Sequence, residues 1–317
     1  MATPPAQTRY IVVGIDGTGS AAWMKADGSN SHTHRFVHDF RYGTYGVDRM
    51  WFHGPSDTMR GMQTEPILQS ALQFIMRRLY QLFPQLRNRH RPLEMFDVST
   101  CRQAQYYQQH TYTSGYGAVY YDTSALKKPK KPSDFLRGQQ PLSINDVRIV
   151  LIGHSRGGLA ATVLAKMLSP IVKVYFLGLY DAVDRQPCLD GMVVENVHAV
   201  YHARRNSEMN SRWYFSNTAV QYKTDRPPQE KFFYTTHGGI GGDFTSDPKL
   251  VGLGDDATCV PYGREMINTR GGPIPVDRTH PVAKKQGRPI NLICEDGKQG
   301  ANRFIREGAR YMGLPIH

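Results

Sequence analysis

The 317-residue chain is long enough for one large α/β domain or two small domains. Its 39 Lys and Arg exceed its 27 Asp and Glu, a formal charge of +12, which favours an anionic membrane or nucleic acid as a partner, although a few basic loops explain the charge equally well. The sequence has neither an apolar run long enough to cross a bilayer nor the pattern of a secretory signal peptide, which predicts synthesis in the cytoplasm.

The first predicted element is a strand over 10–15, an apolar run of the kind that is buried on both faces of a sheet. A glycine-rich turn, DGTGS, follows it. Phosphatases of the haloacid dehalogenase type need a nucleophilic Asp where this chain has Gly14, and a phosphate-binding P-loop needs a G-K-[ST] sequence that the turn lacks. We interpret the turn as an oxyanion-hole loop with Gly17 or Thr18 as backbone donors. The alternative is a structural turn in which Asp16 bonds the loop backbone.

Two further elements are predicted before the central part of the chain. A second strand over 49–53 ends in the turn sequence GPSD, and a helix over 66–83 is indicated by apolar residues at helical spacing that stop at Pro84. Upstream of both, His34 and His38 are four residues apart and would share one face of a helix. Since the H-E-x-x-H pattern of zinc enzymes is missing, we interpret this pair as a coincidence on a helix surface, the alternative being a metal pair.

Residues 84–145 are predicted to be an insertion that forms a cap, a lid or an extended loop. They are rich in tyrosine and contain a basic, proline-containing tract, KKPKKP, over 127–132, which is typical of an exposed loop. One hypothesis is a cap that touches lipid headgroups or nucleic acid, and the other is the edge of a subdomain with a solvated tail. Because the chain shows no internal repeat and no linker, we treat 1–317 as a single domain with this insertion.

Residues 147–168, VRIVLIGHSRGGLAATVLAKML, predict a buried strand, a tight turn and a helix in direct succession. The turn has the G-x-S-x-G pattern of a nucleophile elbow, in which Gly153 and Gly157 allow close backbone approach and Ser155 stands at the apex. The backbone N–H of Arg156, at the start of the helix, is placed to stabilise an oxyanion. The alternative is an ordinary glycine-rich turn with a solvated serine.

Three more strands are predicted after the elbow, over 171–180, 197–201 and 231–236. Residues 244–299 are rich in Gly, Pro and Asp and are predicted to be irregular, and a closing helix is predicted over 301–312. Strands that alternate with helices in this way predict an α/β fold with a mostly parallel central sheet and helices on both faces.

Ser155, Asp181 and His237 each follow an apolar strand, in the order nucleophile, acid, histidine that α/β-hydrolases use. A serine needs a histidine to accept its proton and a carboxylate to orient that histidine. Because the carboxyl ends of parallel strands meet at one edge of the sheet, we expect the three side chains to converge there.

Other acids and histidines are alternatives for the same roles. Asp184 is the nearest rival of Asp181. The more distant candidate acids are Asp190, Asp243, Asp255 and Asp256. His198 and His202 fall within or at the end of a strand, where core or surface roles are more common, and His154 flanks the nucleophile, where we expect it to pack rather than react.

Four motifs of this chain match a known family. They are IDGTGS at 15–20, GHSRGG at 153–158, GLYDAV at 178–183 and HGGIGGDF at 237–244. Together they resemble the α/β-hydrolase family that includes the type VI secretion phospholipase effectors. The resemblance implies an α/β-hydrolase fold with Ser155 as nucleophile, Asp181 as orienting acid and His237 as base. It also implies export without a signal peptide and an immunity or inhibitor protein as a partner.

The motifs and this resemblance predict a serine esterase, most specifically a phospholipase that cleaves acyl esters of membrane glycerophospholipids. Its expected partners are the lipid or another ester substrate and an anionic membrane surface, whereas nucleic acid is not expected. No cofactor and no metal are expected, and the distant Cys101, Cys188, Cys259 and Cys294 indicate neither a zinc site nor a disulfide framework. The alternatives are a soluble small-ester or thioester hydrolase and a non-catalytic module that binds an acidic partner.

Overall fold

Seven parallel β-strands form the centre of the protein in a computed structural model, which describes residues 8–18, 31–40, 47–55, 64–88, 144–183, 192–209, 220–242 and 281–317. Within these ranges the strands are β1 (Arg9–Ile15), β2 (Val47–Phe52), β3 (Val147–His154), β4 (Val174–Tyr180), β5 (Val193–Arg205), β6 (Gln221–Thr224) and β7 (Gln229–Phe233). Their order is β2-β1-β3-β4-β5-β6, and β7 follows β6 along the same edge of β5. Every one of these pairs is parallel, which confirms the predicted sheet.

The central strands are buried on both faces because their sequences are apolar at almost every position. In β1, Ile11 and Val13 belong to the core on one face of the sheet, and Tyr10 and Val12 belong to the core on the other. Successive side chains of a strand point to opposite faces, so a continuous apolar run requires a cover on each side.

Helices provide this cover on both faces. They are α1 (His32–Asp39), α2 (Thr64–Leu82), α3 (Arg156–Leu168), α4 (His237–Gly241), α5 (Pro281–Gln286) and α6 (Ile290–Tyr311). On one face α2 and α3 contribute Ile75 and Leu164 to the core, and on the other α1 and α6 contribute Phe36 and Ile305. The resulting three layers, with a strand–turn–helix at Ser155, form an α/β fold with a parallel central sheet. None of the described helices combines the length and the apolarity needed to span a bilayer.

Hydrogen bonding of the sheet continues one residue beyond three of its strands. The N–H of Asp16, after β1, donates to a carbonyl of β2 at 3.0 Å; that of Ser155, after β3, donates to β4 at 3.0 Å; and that of Asp181, after β4, donates to β5 at 2.7 Å. These three residues are therefore fixed to the sheet at its carboxyl edge before the chain leaves it.

Several elements differ from the sequence predictions. Strand β6 was not predicted because its sequence, QYKT, is short, polar and partly exposed at the sheet edge. The prediction of an irregular segment over 244–299 is wrong for its last part, where α5 and the first half of α6 are helical. Gly297 within α6 lowers helix propensity, but a Cβ built there would lie 2.4 Å from the carbonyl oxygen of Tyr234, so tertiary packing requires a glycine at this position.

Several predictions concern residues that lie outside the described ranges. Most of the 84–145 insertion falls there, including the whole 127–132 tract, while Pro84–Asn88 and Ile144–Asp146 at its ends form short 3-10 helices. Cys294 lies within α6, where it is buried and disulfide-bonded. The wide spacing of the cysteines did not predict this bond.

Candidate active site

Ser155 occupies the apex of the turn between β3 and α3 with a φ of 55° and a ψ of −124°. A positive φ is uncommon for a residue with a side chain and costs on the order of 1–3 kcal/mol. Surrounding hydrogen bonds hold the strained backbone, because the Ser155 carbonyl accepts from the N–H of Leu159 at 3.2 Å and from that of Val183 at 3.3 Å. The turn places the hydroxyl at the carboxyl edge of the sheet, where the residue is 5% exposed.

Close backbone packing explains the two glycines of the G-x-S-x-G motif. A Cβ built on Gly157 would lie 2.1 Å from the carbonyl oxygen of Ile15 at the end of β1, and one built on Gly153 would lie 2.3 Å from the carbonyl oxygen of Gly157. A side chain at Gly157 would push the turn away from β1, and one at Gly153 would push the start of α3 away from β3. The glycines therefore set the distance between Ser155 and the loop that follows β1.

His237 lies at the first position of the short helix α4, which was not predicted from the sequence. The side chain of Thr236 caps this helix by accepting a hydrogen bond from the N–H of Gly239 at 2.9 Å. Gly242 ends the helix in the left-handed conformation, with a φ of 102°. The glycine-rich sequence does not indicate a helix, because glycine has a low helix propensity. In the structure the two caps stabilise the helix.

Two hydrogen bonds connect Ser155, His237 and Asp181 in series. The Nε2 atom of His237 is 2.8 Å from the hydroxyl oxygen of Ser155, and its Nδ1 atom is 2.7 Å from Oδ2 of Asp181. All three residues are buried. An imidazole held in this way can accept the serine proton while the carboxylate stabilises the positive charge that results.

Asp181 is fully buried, has a φ of 44° and remains a carboxylate because of its neighbours. Burial by itself raises the pKa of Asp181, but the hydrogen bond from His237 and the charge of Arg205 outweigh burial and lower the pKa overall. A carboxylate that stays ionised is what the adjacent imidazole needs in order to be oriented and stabilised.

The backbone predicted to form an oxyanion hole lies beside Ser155. A Cβ built on Gly17 would come within 2.9 Å of the Cβ of Ser155, so the loop after β1 touches the serine directly. On the other side, Arg156 begins α3, where backbone N–H groups and the helix dipole favour a negative charge. Thr18 is partly buried in the same loop, next to Gly17.

Asp16 anchors this loop through its side chain. Its carboxylate accepts hydrogen bonds from the Ser31 hydroxyl at 2.8 and 2.9 Å and from the Trp51 indole at 2.6 Å. Ser31 is the N-cap of α1 and Trp51 lies on β2, so the carboxyl group connects the loop to two neighbouring elements. Burial raises the pKa of Asp16 to about 7, since the hydrogen bonds compensate only in part.

The alternative histidines have other surroundings. His154 packs against His237 with 5.1 Å between ring centroids, and burial, followed by the charge of His237, lowers the pKa of His154 to about 3. His202 accepts a hydrogen bond from the N–H of Ala182 at 3.1 Å, and burial lowers its pKa to about 3 as well. His198 contacts Asp225 at 2.7 Å, away from Ser155.

The remaining rivals of Asp181 lie outside the described residues. They are Asp184, Asp190, Asp243, Asp255 and Asp256. The rings of His34 and His38 stack on α1 with 5.8 Å between centroids. Within the described part of the chain, no three His, Cys, Asp or Glu residues are grouped as metal ligands.

Arg205 was not predicted, although its side chain contacts the Asp181 carboxylate and is 9% exposed. It is the last residue of β5, four positions beyond the predicted end of that strand at Tyr201. A basic residue at the carboxyl end of a strand adjacent to the one that bears Asp181 was the available signal. Because the sequence after Tyr201 is mostly polar, the predicted strand ended too early.

Comparison with known proteins identifies distant structural neighbours only. No protein-family model and no curated protein matches the sequence. A crystal structure of an uncharacterized protein from Pseudomonas aeruginosa is 15% identical over 98% of this chain and 46% of that chain, with a TM-score of 0.47. The structure of the Tle1 effector bound to the VgrG spike from the Type 6 secretion system is 14% identical over 76% of this chain and 52% of that chain, with a TM-score of 0.33. The chain thus spans about half the length of each.

Proposed function

We propose that this protein is a serine hydrolase that cleaves carboxylic esters, with Ser155 as nucleophile, His237 as general base and acid, and Asp181 as the orienting carboxylate. The observation that supports this function best is the continuous hydrogen-bonded series from Asp181 through His237 to the hydroxyl of Ser155. The strained backbone of Ser155 adds support, because such strain is retained in proteins chiefly where function needs it.

The proposed reaction proceeds through an acyl-enzyme. The Ser155 oxygen forms a bond to the ester carbonyl carbon as its proton passes to Nε2 of His237. His237 then returns this proton to the leaving alcohol oxygen as the carbon–oxygen bond of the ester breaks. In the second half, His237 takes a proton from water, the hydroxide attacks the acyl carbon, and the released Ser155 oxygen regains its proton.

The oxyanion of each tetrahedral intermediate is proposed to accept hydrogen bonds from the backbone N–H of Arg156 and from that of Gly17 or Thr18. The contact between Gly17 and Ser155 supports this arrangement, since it leaves the loop after β1 next to the attacked carbon. One such donor is worth a factor of about 10²–10³ in rate. The anchoring of the loop by Asp16 keeps its donors in place between substrate turnovers.

The proposed substrates are membrane glycerophospholipids, and this finer assignment is supported by the motif resemblance together with the net charge of +12. Export by a type VI secretion system and inhibition by an immunity protein are part of the same proposal. A soluble small-ester or thioester hydrolase is the second candidate, and a non-catalytic binding module is the third. The three candidates differ in the substrate that they cleave and in whether Ser155 is reactive.

A comparison of the wild type with Ser155→Ala tests the proposal. The variant loses only one buried oxygen, so it should fold normally while hydrolysis of a short p-nitrophenyl ester falls by about 10⁴-fold or more. A fluorophosphonate probe should label the wild type and not the variant. Unchanged ester hydrolysis in Ser155→Ala would contradict the assignment, and a wild type that neither reacts with the probe nor cleaves any ester would favour the binding module.

The same pair of proteins distinguishes a phospholipase from a soluble esterase. Vesicles of phosphatidylglycerol and phosphatidylethanolamine are incubated with each protein, and released fatty acid and lysophospholipid are measured by mass spectrometry. A phospholipase should release both with the wild type and neither with Ser155→Ala. Cleavage of the soluble ester without any lipid product would support the second candidate.

A further inference from the structure

Arg205 makes three close approaches to the candidate catalytic residues. Its guanidinium donates to Oδ2 of Asp181, the same oxygen that accepts from His237, and its backbone N–H lies 3.3 Å from Oδ1 of Asp181. A guanidinium nitrogen also lies 3.4 Å from Nδ1 of His237. One oxygen of the carboxylate is therefore shared between an imidazole and a permanent cation.

We propose that Arg205 is a positioning residue that fixes the Asp181 carboxylate for His237. Its positive charge also lowers the pH at which the Asp181–His237 pair takes up an extra proton. The inference rests on the proposed function, because it concerns the availability of His237 as a base. It adds a fourth residue to the site, one that acts through Asp181 and does not touch the substrate.

The geometric part of the inference follows from the burial of Asp181. A fully buried carboxylate with a single partner could rotate between alternative acceptor positions, whereas Arg205 holds both of its oxygens. Charge-assisted hydrogen bonds of this kind are short and directional. Oδ2 is thereby kept in line with Nδ1 of His237 at 2.7 Å.

The electrostatic part follows from the short distance between two cations. A proton added to His237 would place an imidazolium within 3.4 Å of the Arg205 guanidinium in a buried site, where like charges repel strongly. The pair must be treated as one titrating unit because its members share a hydrogen bond. A fixed cation beside such a unit lowers the pH at which the unit gains a proton.

Among the described residues, the other titratable groups around the pair do not supply this effect. His154, at the end of β3, packs against His237, and His202, on β5, binds the N–H of Ala182 beside Asp181. Burial lowers the pKa of each of these histidines to about 3, so both are neutral near pH 7. The positive charge that contacts the Asp181 carboxylate from β5 is that of Arg205.

The structure offers a matched control on the same strand. Arg204 is the preceding residue, and its guanidinium pairs with Glu230 at 2.9 Å. Arg204→Met removes a largely buried arginine and an ion pair from β5 without removing a contact of Asp181. Arg205→Met and Arg204→Met therefore differ in the one feature that the inference concerns.

The experiment measures kcat and KM of the soluble ester from pH 4.5 to pH 9, a range of about four pH units around neutrality, for the wild type, Arg205→Met, Arg205→Lys and Arg204→Met. In Arg205→Met the acid limb of the kcat profile should move up by about 1–2 pH units, while KM stays within about twofold. Arg205→Lys should restore part of the shift, and Arg204→Met should leave the limb where it is in the wild type.

A second readout does not depend on turnover. The histidine ring signals of the wild type and Arg205→Met are followed by NMR as a function of pH, with the His237 signal assigned from His237→Gln, and circular dichroism checks the fold. The midpoint of the titration, which belongs to the Asp181–His237 pair, should move up with the acid limb. An unmoved midpoint, or a loss of kcat equal at every pH, would overturn the inference. An inactive wild type with a shifted midpoint would instead refute the hydrolase function alone.

Discussion

Asp16 is a carboxyl group in an unfavourable position, fully buried beneath the loop next to Ser155. Burial raises its pKa to about 7, although Ser31 and Trp51 both donate to it. A group whose pKa is higher in the folded than in the unfolded protein retains its proton on folding over the interval between the two values. Its contribution to stability is thus lost as the pH rises from about 4 to about 7.

Asp16→Asn should remove this dependence, because an amide of the same shape carries no charge. Relative to that of the wild type, the free energy of unfolding of the variant should rise by about 2–4 kcal/mol between pH 4 and pH 8. Thermal or urea unfolding across this range measures it. Asp225→Asn is the control, since hydrogen bonds from Lys173 and then His198 lower the pKa of that exposed carboxyl. A flat difference for Asp16→Asn would contradict the prediction.

At the scale of elements, the short helix α4 depends on its neighbours for its stability. A helix of five residues cannot persist on its own, and it holds His237 because Thr236 caps it and α6 packs against it. A shift of this helix would move the imidazole of His237 with it. The cap is therefore expected to matter for the reaction as well as for stability.

Thr236→Val keeps the shape of this buried side chain and removes the oxygen that accepts from Gly239. We expect a loss of about 1 kcal/mol in the free energy of unfolding and a fall in kcat of about tenfold, with a smaller change in KM. Thr236→Ser retains the hydroxyl and should behave like the wild type. Equal kcat in all three proteins would show that the cap has no influence on His237.

The elements that the sequence predicted well are those with strong local patterns. The apolar runs of β1, β3 and β4 identified where each strand ends, and parallel pairing then implied that Ser155 and Asp181 meet at one edge. Arg205 was not predicted because the last two residues of β5, Arg204 and Arg205, are charged and are registered with β7 but not with β4. The partners of Asp16 are 15 and 35 residues away, and nothing near them in the sequence indicates the contact.

The net charge of +12 is a property of the whole molecule, and it predicts an association with anionic membranes that depends on salt. Cosedimentation with vesicles rich in phosphatidylglycerol should decrease strongly from about 0.05 M to about 0.5 M NaCl, because the screening length shrinks several-fold. Phosphatidylcholine vesicles, which carry no net charge, are the control. Replacing the lysines at 127–132 should weaken the anionic binding, and salt-independent binding would contradict this prediction.

The hydrogen bonds that extend the sheet by one residue at Asp16, Ser155 and Asp181 divide the molecule into two parts. The proposed nucleophile and its orienting carboxylate are attached to the sheet, whereas His237 is held by the short helix α4. Segments that contact none of these residues can therefore change between related proteins without moving the nucleophile or the carboxylate.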